Sequence, residues 1–299
     1  MNDTDRPWKG KTGGGHFGQK SLIFLFKFLN VRVGYFFAAF AIPFYMLFGR
    51  ESYLAIYRFF NQRIGCGKLT SFIKTCKNYF TFSQIIVDRF SVLANGKSKF
   101  YVTITGQEFF EDYINSEKGF IMASSHVGNF EICGYLLHQD VKKINSLIYG
   151  GEAPVFQSYR EKQLEKNNVK SIPVTDDLSH LFIINEALDK GEIISMPCDR
   201  LFGSNKFLKC EFLGKETSFP LGAFRLSALK EVDILSVFVI KLSASHYHIF
   251  LKPIITDGIP NESMKSKSER LAFLYVNQLE TIVKKYPEQW FNYFDFWNN

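Results

Sequence analysis

A chain of 299 residues with 46% apolar content can bury a sizeable core, which excludes a disordered polar linker and fits one large domain. Lys and Arg exceed Asp and Glu by 7, which suits an acidic partner: nucleic acid, an anionic membrane or an acidic carrier protein. An aromatic share of 17%, with 33 Phe, fits either a Phe-rich core or a surface that meets lipid. Five cysteines with no C-x2-C pair argue against a disulfide framework and for a reducing compartment.

In chain order, residues 1–20 are polar and glycine-rich and read as a flexible leader. Gly13 to Gly18 satisfies G-x-G-x-x-G, but no strand precedes it, so no nucleotide site is expected, and no cleaved signal peptide is read here. Residues 21–49 read as a membrane-anchor helix. Val33 to Phe48 carries no charge over sixteen residues. That is short of the ~20 a spanning helix needs, and Pro43 predicts a kink, so a shallow or tilted anchor and a true span both fit; a buried core helix is the competing reading.

Residues 50–299 then form one domain. Tyr53, Ile56, Tyr57, Phe60, Phe72, Ile73, Cys76, Phe80 and Ile85 recur at helical spacing, which predicts two or three helices before Leu93. Strands are expected at Lys99 to Thr105, Phe120 to Ala123, Ile144 to Tyr149 and Gly191 to Pro197, and helices at Gln107 to Ser116, Ala153 to Asn167 and Leu178 to Asp189. Asp233 to Leu242 and His246 to Pro253 predict an antiparallel hairpin. The class is α/β: a mixed, mostly parallel sheet wrapped by helices, behind an N-terminal apolar membrane-anchor helix, with the site at strand carboxyl ends.

The chemistry concentrates in Ser125-His126-Val127-Gly128-Asn129-Phe130-Glu131, where a buried strand should end, the chain should turn, and Asn129 should cap a helix starting at Phe130. Inside one helix, His126 and Glu131 would lie about 140° apart, so they can meet only across a turn. A histidine oriented by a carboxylate can take a proton from a hydroxyl, and the helix N-terminus favours both an ionised Glu131 and a developing oxyanion.

This segment closely resembles the H-x4-D/E motif, in its H-x-G-N-W/F-E form, of the bacterial lipid A biosynthesis acyltransferases within the wider glycerolipid acyltransferase superfamily. The likeness extends from the apolar anchor through Asp88-Arg89 to Pro287-Glu-Gln-Trp290. Asp88-Arg89 itself reads as a solvated or fold-stabilising pair. The resemblance implies His126 and Glu131 as catalytic residues, and Asn129, Asp199, Arg200, Phe212 and Gly214 as substrate-binding residues. Arg200 could fork onto a phosphate, oriented by Asp199, while Phe212 with Phe219 to Gly222 suits the wall of an acyl slot.

No metal and no cofactor are implied. The expected partners are an acyl carrier protein as donor, a lipid acceptor and inner-membrane lipid, not nucleic acid, with the catalytic domain facing the cytoplasm. The family's basic residues near the C-terminal tryptophan are replaced by Phe291-Asn-Tyr-Phe-Asp-Phe-Trp297, which leaves the acceptor headgroup open. Two rivals stand beside this reading: a non-catalytic lipid-binding protein, and a thioesterase or other hydrolase using the same pair.

Overall fold

The computed structural model describes residues 24, 30–95, 100–137, 140–148, 161, 164–165, 167–175, 177, 179–201 and 206–297. The leader, the first part of the expected anchor and most of the helix expected at Ala153 to Asn167 lie outside the described residues.

Helix α1 (Val31–Phe48) opens on Asn30, whose side chain accepts the Arg32 N–H at 3.0 Å, and runs through Pro43 to Gly49. Only Tyr35 of this helix is buried, and Phe36, Phe37, Phe40, Phe44, Leu47 and Phe48 are exposed. At 1.5 Å per residue it extends roughly 27 Å, close to the ~30 Å of a hydrocarbon core, and it is long and apolar enough to cross a membrane. Its inner face packs on α3 (Lys68–Asn95) through Tyr35, Val87 and Ala94. Between them lie α2 (Arg50–Arg58) and a π-helical turn, Phe59–Arg63.

The central sheet has seven strands: β1 (Tyr101–Thr105), β2 (Phe120–Ser124), β3 (Ile144–Ile148), β4 (Val169–Pro173), β5 (Ile193–Pro197), β8 (Ile234–Ser243) and β9 (His246–Ile254), in the order β1-β9-β8-β2-β5-β3-β4. Only β8 and β9 pair antiparallel, so the sheet is mixed and mostly parallel. Every residue of β2 is buried, with Ile121 and Ala123 facing one core and Phe120 and Met122 the other, as a strand covered on both sides requires. One face is covered by α6 (Ser179–Asp189), α7 (Gly222–Lys230) and α8 (Met264–Lys285). The other is covered by α4 (Gln107–Asn115), the short α5 (Cys133–Leu136) and part of α3.

Strand β4, helices α7 and α8, and the strand pair Phe207–Phe212 and Lys215–Pro220 were not read from the sequence. Strand β4 is a five-residue edge strand carrying Lys170 and Ser171, too short and polar for a clear alternation. Helix α8 lies against both α7 and the sheet. The segment read as an acyl-slot wall is instead a hairpin of β6 (Phe207–Phe212) and β7 (Lys215–Pro220), whose two-residue turn, Leu213 at φ 53° and Gly214 at φ 75°, suits a right-twisted hairpin.

Candidate active site

Strands β2 and β5 run side by side in parallel register, with Ser124 opposite Pro197 and the Cys198 N–H donating to the Ser124 carbonyl at 2.9 Å. Two residues further along each chain stand His126 and Asp199, so equal extensions of neighbouring strands bring them together. Asp199 accepts the His126 backbone N–H through Oδ2 at 2.9 Å and meets His126 Nδ1 through Oδ1 at 2.8 Å. Asp199 is buried, with its side chain 1% exposed against 18% for His126. Burial alone would push its carboxyl up; the His126 contacts and the Arg200 cation outweigh this and hold it below the ordinary carboxylate range. An ionised Asp199 selects the tautomer protonated on Nδ1, which puts the basic lone pair on Nε2.

The expectation that Glu131 orients His126 is therefore corrected. Glu131 forms an ion pair with Arg89 of α3, and the carboxylate on Nδ1 comes from β5. Asp199 was expected near substrate, and no sequence spacing linked it to His126; the usable signal is that both residues follow a buried strand end at the same offset.

The loop between the strand and the following turn is tied down on both sides. Asn129 N–H donates to Val239 O of β8 at 2.8 Å, Gly128 N–H to Gln289 O at 2.8 Å, and Phe291 N–H to His126 O at 3.0 Å. Gly128 has φ 65°, and a Cβ there would meet the Val239 carbonyl oxygen at 1.9 Å, so glycine is required by both conformation and space. Asn129 does not cap the next turn. Its amide donates to the Tyr247 hydroxyl at 3.2 Å, the residue is buried, and the chain enters a 3₁₀ turn (Phe130–Ile132) before α5.

Behind the loop lies a buried polar cluster that no spacing announced. Asp88 receives the hydroxyls of Tyr35 and Tyr247 and pairs with Lys241 of β8. It is thus not a partner of its neighbour Arg89, and it is fully buried and not solvated. Burial pushes Asp88 up and Lys241 down, and their mutual attraction offsets part of both shifts.

The strand ends, His126 and Asp199 all fall inside the span of one known family: a family model described as bacterial lipid A biosynthesis acyltransferase matches residues 74–297. The chain belongs to that family. It is accordingly an acyltransferase that acts on lipids. A solved structure similar to it is the 1-acyl-sn-glycerophosphate (LPA) acyltransferase PlsC of Thermotoga maritima, at 14% identity and a TM-score of 0.38, covering 88% of this chain and 97% of that one, a likeness too distant to carry an argument. No curated protein gives a significant match.

The remaining candidates are placed as follows in this family member. Arg200 donates to the Phe291 carbonyl at 2.6 Å and lies over the Phe294 ring at 5.4 Å, while its Nε has no partner among the described residues. It closes a circuit, because Phe291 also donates to His126. Phe212 is fully buried against Trp290, Phe219 and Phe296, in the core and not along an open slot. Gly214 is on the exposed hairpin turn, and neither it nor Phe212 is brought to His126.

Proposed function

We propose that the protein is a membrane-bound O-acyltransferase in which His126, oriented by Asp199, serves as general base toward the hydroxyl of a lipid acceptor. The hydroxyl oxygen forms the new C–O bond at the carbonyl of an acyl thioester carried by acyl carrier protein. His126 Nε2 takes the hydroxyl proton and returns it to the departing sulfur as the C–S bond breaks. The observation that carries this reading is the Asp199–His126 contact at the ends of adjacent parallel strands. Glu131 acts through Arg89, holding α3 to the loop. Arg200 positions the C-terminal segment over the site, and any substrate phosphate it meets would engage the unpartnered Nε side.

Attachment is proposed to be in-plane, on the cytoplasmic face of the inner membrane. Tyr35 ties one side of α1 to the buried Asp88 cluster, so that side faces protein while the Phe-rich side can enter lipid. The exposed stripe of α3 at Leu69, Phe72, Ile73 and Phe80 adds apolar surface. Net positive charge favours both anionic headgroups and an acidic carrier.

The test is transfer of a labelled acyl chain from acyl carrier protein to bacterial lipid extract by the purified full-length enzyme. His126→Ala and Asp199→Asn should each lose ~10²–10⁴-fold in rate, with Glu131→Gln milder. Full transfer by a folded His126→Ala variant would remove the base from the mechanism. Glu131→Gln as damaging as Asp199→Asn would return the orienting role to Glu131.

A further inference from the structure

A second polar pocket, of about 330 Å³, opens beside the site among α2, the π-helical turn, the β6–β7 hairpin and the C-terminal aromatic segment. Among the described residues its walls carry three cations, Arg58, Arg63 and Lys215, and one carboxylate, Asp295. The cations come from two separate parts of the chain, and none belongs to the catalytic machinery described above.

Arg58 and Arg63 share a wall because of the π-helical turn. Five residues apart in an α-helix they would diverge by about 140°. The Ile64 N–H instead donates to the Phe59 carbonyl at 3.1 Å, an i→i+5 bond that widens the turn and brings residue i+5 back over residue i. A π turn replaces α-helical bonding at a cost, and such turns recur at functional sites. Arg63 is further fixed with its guanidinium 5.4 Å from the centroid of the Trp297 ring. A guanidinium held at a ring by this contact keeps N–H donors that suit oxygens.

We infer that this pocket binds a phosphate monoester group. At neutral pH such a group carries roughly −1.5 to −2 charges and three acceptor oxygens, which complement a lining richer in cations than carboxylates and the forked donors of its two arginines. The volume falls at the lower end of the ~300–1,000 Å³ of ligand pockets, which admits a phosphate with a small attached polyol or sugar. Phe294, Phe296 and Trp297 supply flat apolar walls for the attached group. Phe294 is also the ring beneath Arg200, so the pocket and the catalytic strand ends share a wall. The aromatic C-terminal segment lacks basic residues of its own between Phe291 and Trp297, and here cations from α2, the π turn and the hairpin surround it. The inference stands on charge and geometry and does not require the acyl-transfer mechanism.

The test is direct binding by the full-length protein in detergent micelles. Glycerol 3-phosphate and inorganic phosphate are titrated calorimetrically, and flotation compares phosphatidylcholine vesicles with and without phosphatidic acid. Arg63→Gln and Lys215→Gln should each weaken binding about tenfold, the loss expected for one charge-assisted contact. Lys190→Gln, an exposed cation paired with Glu186, should leave it unchanged. Sensitivity confined to the soluble phosphates assigns the site to a free ligand, and sensitivity confined to phosphatidic acid vesicles assigns it to a lipid headgroup; both support the site. Binding that is absent for every probe, or equal in wild type, Lys215→Gln and Lys190→Gln, overturns it. Lys215 is exposed at the first position of β7, so its variant remains informative if Arg63→Gln fails to fold.

Discussion

His126 is held by the Asp199 carboxylate, and the state of that carboxylate sets a pH dependence. Asp199 is held below its ordinary value of 3.8, so its folded form binds a proton less readily than the unfolded chain does. Its stabilising contribution is therefore complete above that ordinary value and is lost as pH falls through the lower folded value. Melting temperature measured on acidification should fall more steeply for wild type than for Asp199→Asn; parallel curves would mean the contact contributes nothing. Asp88 titrates in the opposite sense, since burial raises it and protonation relieves the folded state. Lys241 shares that buried site, so removing one partner strands the other. Asp88→Asn or Lys241→Met alone should cost ~3–5 kcal/mol, whereas the double variant should recover much of the loss. Denaturant melts of the four species form the cycle, and additive losses would show that the two charges do not interact.

At the level of elements, the site depends on the parallel register of β2 and β5 and on the close passage of the motif loop over β8. Gly128 is the point of closest approach. Gly128→Ala combines a left-handed backbone with a Cβ 1.9 Å from a carbonyl oxygen, so the loop must shift. The expected outcome is a loss of roughly 1–3 kcal/mol together with a large fall in transfer rate, because His126 is anchored two residues away. A variant that keeps both wild-type stability and rate would show that the loop tolerates displacement. The C-terminal segment acts as a strap on the same loop. Gln289 and Phe291 bond to it, and Trp290 packs beneath it against Phe59 and Phe212. The strap is in turn held to α3 by Lys74 on Glu288 and Asn78 on the Trp290 carbonyl.

For the whole molecule, α1 has two jobs that pull on different measurements. Its outer Phe residues are the proposed lipid contact, while Tyr35 belongs to the core polar cluster. Phe36→Ser with Phe40→Ser and Phe44→Ser should release the protein from vesicles, each change removing roughly 2 kcal/mol of apolar burial in lipid, while leaving the melting temperature of the detergent-solubilised protein nearly unchanged. Deleting residues 1–48 should do both: release the protein and lower its melting temperature, because Asp88 and Lys241 lose the Tyr35 hydroxyl. Flotation and thermal melts read the two effects separately. Unchanged flotation of the triple variant would place the membrane contact elsewhere.

Local pattern was enough for much of this protein. The β2 run, the βα alternation, the β8–β9 hairpin and the 18-residue apolar helix follow from periodicity and turn residues, which act over a few positions. The motif loop was legible for the same reason, since its glycine and histidine are contiguous. What only the tertiary structure decided is pairing across long separations. Asp199 lies 73 residues from His126 and reaches it through strand register; Lys241 lies 153 residues from Asp88; Arg63 meets Trp297 across nearly the whole chain. Glu131 was the nearer carboxylate in sequence, yet Arg89 took it, because a buried acid at the neighbouring strand end meets the ring directly. A one-dimensional spacing records how far apart two residues are along the backbone, and only the sheet order decides which of them end up side by side.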